Sequence, residues 1–131
     1  MNSKIDSFES LEPSLLLEEY VFCTFKNAKY GDYLNLNPIG SFQEKEGLTL
    51  VITKQRAEQE SLKYQELFKC ISLGLESTLI SVGLTAQIST ILTKSNISAN
   101  MFAGYFHDHI FVPIKDAENA LKILCNEQFK Q

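Results

Sequence analysis

The sequence predicts an α+β protein whose two halves each resemble part of a split βαβ arrangement. Three observations point there. Residues 81–114, SVGLTAQISTILTKSNISANMFAGYFHDHIFVPI, change period partway. Leu84, Ile88, Ile91 and Leu92 repeat at helical spacing, and Ile97, Ala99, Met101 and Ala103 then alternate at strand spacing. Asp108, Ile110, Val112 and Ile114 form a second alternating row, apolar after its first member. Finally, YVFCTF (20–25), LTLVIT (48–53) and LFKCISLGL (67–75) are apolar runs rich in strand formers.

In chain order, Ile5, Phe8 and Leu11 stand three apart in a polar context, which predicts a short amphipathic helix over 2–12 ended by Pro13. SLLL (14–17) fits a strand or a continuing turn, and 20–25 is a strand. Residues 26–40 hold Asn27, Gly31, Asn35, Asn37, Pro38 and Gly40, turn chemistry with room for one irregular helical turn. A strand entered at 39–44 turns at Glu44–Gly47 into the strand 48–53, with Gly47 free to take positive φ. Residues 54–62, KQRAEQESL, read as an exposed helix. No Gly-, Pro- or Ser-rich linker divides the chain, and the best boundary falls near 60–66, giving halves 1–64 and 65–131. Residues 67–75 are apolar on both faces, as in a covered central strand. A helix opens near Gly83, runs to about Lys94 and closes at Ser95 and Asn96. The hairpin follows. Asp116 is placed to cap a last helix with a stripe of Ala117, Ala120, Leu121 and Leu124.

Apolar residues make up 44% of the 131 and charged residues 21%, enough for a core without disulfides. A net charge of −4 disfavours nucleic acid, which rewards a basic surface. Cys23, Cys70 and Cys125 are odd in number, far apart and form no CxxC, so neither structural zinc nor disulfides are expected. The acidic start, MNSKIDSFESLEP, reads as neither a signal nor a membrane anchor. Cytoplasmic residence is the expectation, with no membrane partner. Neither GxxxxGK nor GxGxxG occurs, so no nucleotide cofactor of those types is expected.

EGLTLVI, VGLTA and AGYFHDHIFVP, with YVFCTF before them, resemble a small bacterial family of stand-alone proteins with tandem ACT-like domains, over roughly residues 13–128. The resemblance implies a ferredoxin-like fold in each half: tandem ACT-type domains, antiparallel sheets with helices on one face. It also implies domains paired through their sheets, a homodimer, and a small ligand, most often an amino acid, held where domains meet. It implies no catalysis and no cofactor. Residues 26–38 are too short and turn-rich for the helix an ACT domain has there, so the first half departs from the pattern.

The resemblance carries a ligand-holding role to Ser81, Val82, Gly83, Leu84 and Thr85. Independently, a helix N-terminus offers free N–H groups to a carboxylate, and Gly83 admits close backbone approach. The plainer reading is that Gly83 shapes the loop and Thr85 caps the helix. Asn100, a polar amide in an apolar strand, matches an ACT asparagine that binds the ligand; the alternative is satisfaction by backbone or solvent. Gly83 and Asn100 together predict a cradle for a zwitterion. His107, Asp108 and His109 fit three roles: a hairpin turn held by Asp108, a contact to ligand, or a metal or acid–base centre that lacks further ligands and a nucleophile. Gly104 marks a bulge or close approach, and Tyr105 either stacks on a ligand or packs with Phe106 and Phe111. Arg56, the chain's one arginine, is a solvated helix residue or a carboxylate clamp. Besides an amino-acid sensor, a ligand-free interaction subunit and a metal-dependent protein remain as readings.

Overall fold

The structure, a computed structural model, describes residues 8–130. It comprises two compact units. Glu18–Phe68 form one, and residues 8–17 with 69–130 form the other. The elements in chain order are β1 (Phe8–Ser10), β2 (Pro13–Lys26), β3 (Gly40–Gln43), β4 (Gly47–Thr53), α1 (Lys54–Gln59), β5 (Phe68–Leu73), α2 (Leu84–Lys94), β6 (Asn100–Ala103), β7 (Asp108–Pro113), α3 (Ala117–Cys125) and β8 (Gln128–Lys130).

In the Glu18–Phe68 unit the strand order is β3–β4–β2. Antiparallel pairing runs from Tyr20↔Thr53 to Lys26↔Gly47 on one side of β4, and from Gly40↔Val51 to Gln43↔Leu48 on the other. Val21, Cys23, Leu48, Leu50, Ile52 and Ala57 form its core. The connection after β2 is a single 3-10 turn, Leu34–Leu36, flanked by Tyr33 and Asn37 in the left-handed region. Side chains brace the segment before it: Gln43 Nε2 donates to the Ala28 carbonyl (3.0 Å), Gln43 Oε1 accepts from Tyr30 N–H (2.8 Å), and Asp32 Oδ2 accepts from Lys29 N–H (2.9 Å). Thr53 caps α1 by accepting from Arg56 N–H at 3.1 Å. The helix ends at Gln59 rather than 62. Ser61 turns left-handed (φ 56°), and Leu62 N–H reaches back to the Ala57 carbonyl (2.9 Å), which returns Leu62 to the core.

The hairpin into β4 closes with Glu44 N–H on the Gly47 carbonyl (2.8 Å) and the reverse bond at 3.3 Å. A Cβ at Gly47 would run into the Phe25 carbonyl oxygen of the paired strand. Gly47→Ala is therefore expected to destabilise the protein by about 1–3 kcal/mol, the usual range for overpacking against a neighbour that cannot yield. A lowered urea midpoint at unchanged slope checks it.

In the other unit, β2 residues up to Leu17, β5, β7 and β6 are neighbours in that order. Ser14 Oγ donates to the Ser72 carbonyl (3.5 Å) and Lys69 Nζ to the Leu17 carbonyl (2.9 Å). Strand alternation sends Ile71, Leu73, Ile110 and Val112 to one face, where they meet Leu84, Ile88 and Leu92 of α2 and Ala117, Ala120 and Leu124 of α3. Helices thus cover one face of an antiparallel sheet, as the resemblance implies, whereas the apolar pattern of 67–75 suggests cover on both faces.

Besides the earlier end of α1, two elements differ from expectation. Residues 8–10 are a strand, not part of a helix; Phe8↔Lys130, Glu9↔Phe129 and Ser10↔Gln128 pair β1 with β8. Leu11 is then fully buried in the core. The rest of the predicted helix, residues 2–7, lies outside the described residues. Asp116 precedes α3, but its side chain makes no capping bond, because a 3-10 turn (Ile114–Asp116) leads directly into the helix.

Candidate functional site

The loop between β5 and α2, the N-terminus of α2 and the β6–β7 hairpin enclose a cavity of about 120 Å³. Ser77, Thr78, Leu79, Ser81, Gly83, Leu84 and Thr85 line it from the loop and helix, and Ala103, Gly104 and Asp108 from the hairpin. Six of the twelve candidate residues named from the sequence are among these: Ser81, Gly83, Leu84, Thr85, Gly104 and Asp108.

Each is there for a local reason. Gly83 is the N-cap of α2 with φ 106° and ψ −16°, a conformation that side chains rarely adopt. Space is not the constraint, since a Cβ there would meet only Phe129 at 3.8 Å. The helix ladder opens with Gln87 N–H on the Gly83 carbonyl (2.9 Å), and Gly83 has no side chain to cap it. The first N–H groups of α2, Leu84 and Thr85, therefore have no intrahelical acceptor. At the other wall, Gly104 N–H donates to the His107 carbonyl (2.9 Å), and a Cβ at Gly104 would approach that oxygen to 2.7 Å. Glycine is required there by close approach.

Asp108 heads the apolar row of β7 and is the buried charged residue of the described chain, 8% exposed. Ser77 Oγ donates to its Oδ2 at 3.2 Å, and Ser77 N–H donates to the Phe106 carbonyl at 3.3 Å. No lysine or arginine among the described residues forms an ion pair with it. The loop is braced within itself: Thr78 N–H donates to Ser81 Oγ (3.1 Å) and Ser81 N–H to the Thr78 carbonyl (3.0 Å). Ser77 and Thr78 escaped the sequence reading, although ESTLIS carries the hydroxyl spacing of such a turn.

The other candidates lie elsewhere, Arg56 in the Glu18–Phe68 unit. Val82 and Tyr105 are exposed, Tyr105 edge-on to Phe106 with centroids 5.0 Å apart. The predicted Gly83–Asn100 cradle is not formed. Asn100 pairs with Phe111, whereas Met101↔Ile110 and Ala103↔Asp108 are the pairs on the helix-covered face. Alternation therefore turns Asn100 to the opposite face, where its Nδ2 donates to the Phe111 carbonyl (3.2 Å). Backbone satisfaction, the plainer alternative, is what the amide has. His107 and His109 also turn away from Asp108. His107 Nδ1 is buried without a hydrogen-bond partner, and His109 Nδ1 lies 2.8 Å from Ser72 Oγ. No group of three or more His, Cys, Asp or Glu among the described residues is placed to hold a metal ion.

Ser72 and His109 have the separation of a nucleophile–base pair. The neighbouring carboxylate does not orient the imidazole, because Asp108 bonds Ser77 on the other face. Nearby Cys70 is buried and its thiol is pushed up to about 11, which leaves it protonated and inert at neutral pH. Burial, then the charge of His107, holds the His109 pKa below its ordinary 6.5, against a smaller upward pull from Asp108. The unfolded chain thus takes up a proton first as pH falls through 6.5, so stability should decline below that value. Urea unfolding at pH 7.5 and 5.5 checks this; His109→Gln should flatten the dependence.

Family models of the ACT domain match residues 8–69 and again 63–126. Among solved structures, a protein of unknown function from Vibrio cholerae, described as a possible transport protein, is 48% identical with a TM-score of 0.84, covering 89% of this chain and 88% of that one. A protein from Agrobacterium tumefaciens is 15% identical with a TM-score of 0.72 over 89% and 88% of the two chains. The allosteric aspartate kinase of Clostridium acetobutylicum is 14% identical with a TM-score of 0.62, covering 83% of this chain and 32% of that one. These last two likenesses concern the fold alone. No curated protein matches the sequence. ACT domains are regulatory modules, typically amino-acid-binding and themselves non-catalytic. No helix among the described residues is long and apolar enough to cross a membrane. The chain belongs to the ACT-domain family and carries two such domains in tandem.

Proposed function

We propose that this protein is a non-catalytic sensor of a small amino acid, bound in the cavity between α2 and the β6–β7 hairpin. One observation carries the reading: a buried, cation-free carboxylate, Asp108, shares a cavity with the open N-terminus of α2. A zwitterion satisfies both. Its carboxylate takes the Leu84 and Thr85 N–H groups and the favourable end of the helix dipole. Its ammonium pairs with Asp108, and the Ser77 and Ser81 hydroxyls complete the polar contacts. About 120 Å³ is well under the roughly 300 Å³ at which drug-sized pockets begin, which selects a short side chain.

Leu79, Ile80, Val82, Tyr105 and Phe106 are exposed on the same loop and hairpin. A second copy of the chain covering them would shield the ligand from water, and binding would bias the dimer by differential affinity. Buried free Cys23 and Cys70 suit a reducing cytoplasm. Thermal-shift measurements with each of the twenty amino acids at millimolar concentration test the proposal, since a native-state ligand raises the melting temperature. Stabilisation confined to short-chain amino acids is expected, with a dimer in light scattering. A flat panel would favour the interaction-only reading.

A further inference from the structure

The geometry points to a second site, in the Glu18–Phe68 unit, for a small organic carboxylate held by Arg56. A cavity of about 250 Å³ is lined by Leu36, Asn37, Thr53, Gln55, Arg56 and Gln59. Its polar side chains are one guanidinium, three amides and a hydroxyl, with no carboxylate among them. Arg56 is half-buried, and its side chain makes no ion pair or hydrogen bond with another described residue. Two of the acids on this side of the unit are engaged elsewhere, Glu19 at 3.8 Å from Lys54 Nζ and Glu58 Oε2 accepting from the Tyr64 hydroxyl at 3.2 Å, and exposed Glu60, which follows α1, forms no ion pair with Arg56. A guanidinium offers five donors in a planar fork and matches a carboxylate through two parallel hydrogen bonds.

The frame around it is set by the fold. Asn37 closes the 3-10 turn in the left-handed region (φ 52°, ψ 56°), with its N–H on the Leu34 carbonyl (3.0 Å), while Leu36 beside it is anchored in the core. Thr53 accepts from Arg56 N–H and so fixes where the arginine leaves α1. The amides of Asn37, Gln55 and Gln59 both donate and accept, which suits a ligand with a second polar group beyond the carboxylate that Arg56 takes. The cavity has room for such a molecule of several heavy atoms. This site shares no residue with the amino-acid cavity, and either stands without the other.

The test uses the full isotope-labelled chain and NMR titration with succinate, with inorganic phosphate and chloride at matched ionic strength as separate arms. Saturable shifts at Asn37, Gln55, Arg56 and Gln59 are expected with succinate, with affinity falling at least tenfold in Arg56→Gln. Arg56→Lys keeps the charge but loses the fork, and should retain weaker binding. Its readout also stands should Arg56→Gln not fold. Shifts that drift linearly as with chloride, saturate only with phosphate, or survive Arg56→Gln unchanged would overturn the assignment.

Discussion

Asp108→Asn is expected to weaken binding of the amino acid by about one to two orders of magnitude while leaving the fold intact. The substitution keeps size and shape, and an amide oxygen can still accept from Ser77 Oγ. What it deletes is the charge that faces the ligand's ammonium. Hydrogen bonds to charged groups contribute about 1.5–3 kcal/mol each, and a loss of that size lowers affinity roughly 10- to 150-fold. Calorimetric titration with whichever amino acid most raises the melting temperature measures it. The melting temperature of the free protein should hold or rise, because a buried charge without a cation no longer needs solvating. Undiminished affinity in this variant would sink the proposed cavity.

Ile88→Ala has the largest expected effect on stability. Ile88 is fully buried at the middle of α2, between the sheet face of Ile71, Leu73, Ile110 and Val112 and the helix α3. Truncating a buried isoleucine to alanine costs about 2–5 kcal/mol, from lost transfer energy and the void left behind. Against a typical total of about 5–15 kcal/mol that is a large share. Ligand affinity should fall as well, since the packing of Ile88 holds the N-terminus of α2 opposite Asp108. Urea unfolding gives the stability; a loss below about 1 kcal/mol would mean that α2 is not seated on this core.

Much of the unit that holds the cavity was legible. Leu84, Ile88 and Leu92 repeat over three turns, and the β6 and β7 rows alternate cleanly, so period alone identifies them. Asp108 at the head of an apolar row was the readable sign of a buried acid. The faces of β6 were readable too, since Asn100 falls out of the Met101–Ala103 row. What parity alone could not supply was which row the helices cover. The β1–β8 ribbon was illegible for a different reason. Three-residue strands carry no periodicity, and Phe8 and Leu11 three apart imitate a helix. Their partners lie at the far end of the sequence, beyond any local window. At α1 the pull of Leu62 toward the core overrode the helix propensity of 60–62, a tertiary effect that propensity does not contain.

The exchange of residues 8–17 into the unit of 69–130 sets an order of assembly during synthesis. Glu18–Phe68 is contiguous, so its strands can pair as soon as they leave the ribosome. Ser10 emerges more than a hundred residues before Gln128, its register partner, a wait of several to tens of seconds at roughly 5–20 residues per second. Leu11 can meet Ile71, Leu73 and Leu75 earlier, but its cluster is completed by Leu124 and Phe129 only at the end of that interval. Phe129, which sits behind Gly83, arrives later still, so the loop between β5 and α2 is backed only after nearly all of its unit has emerged.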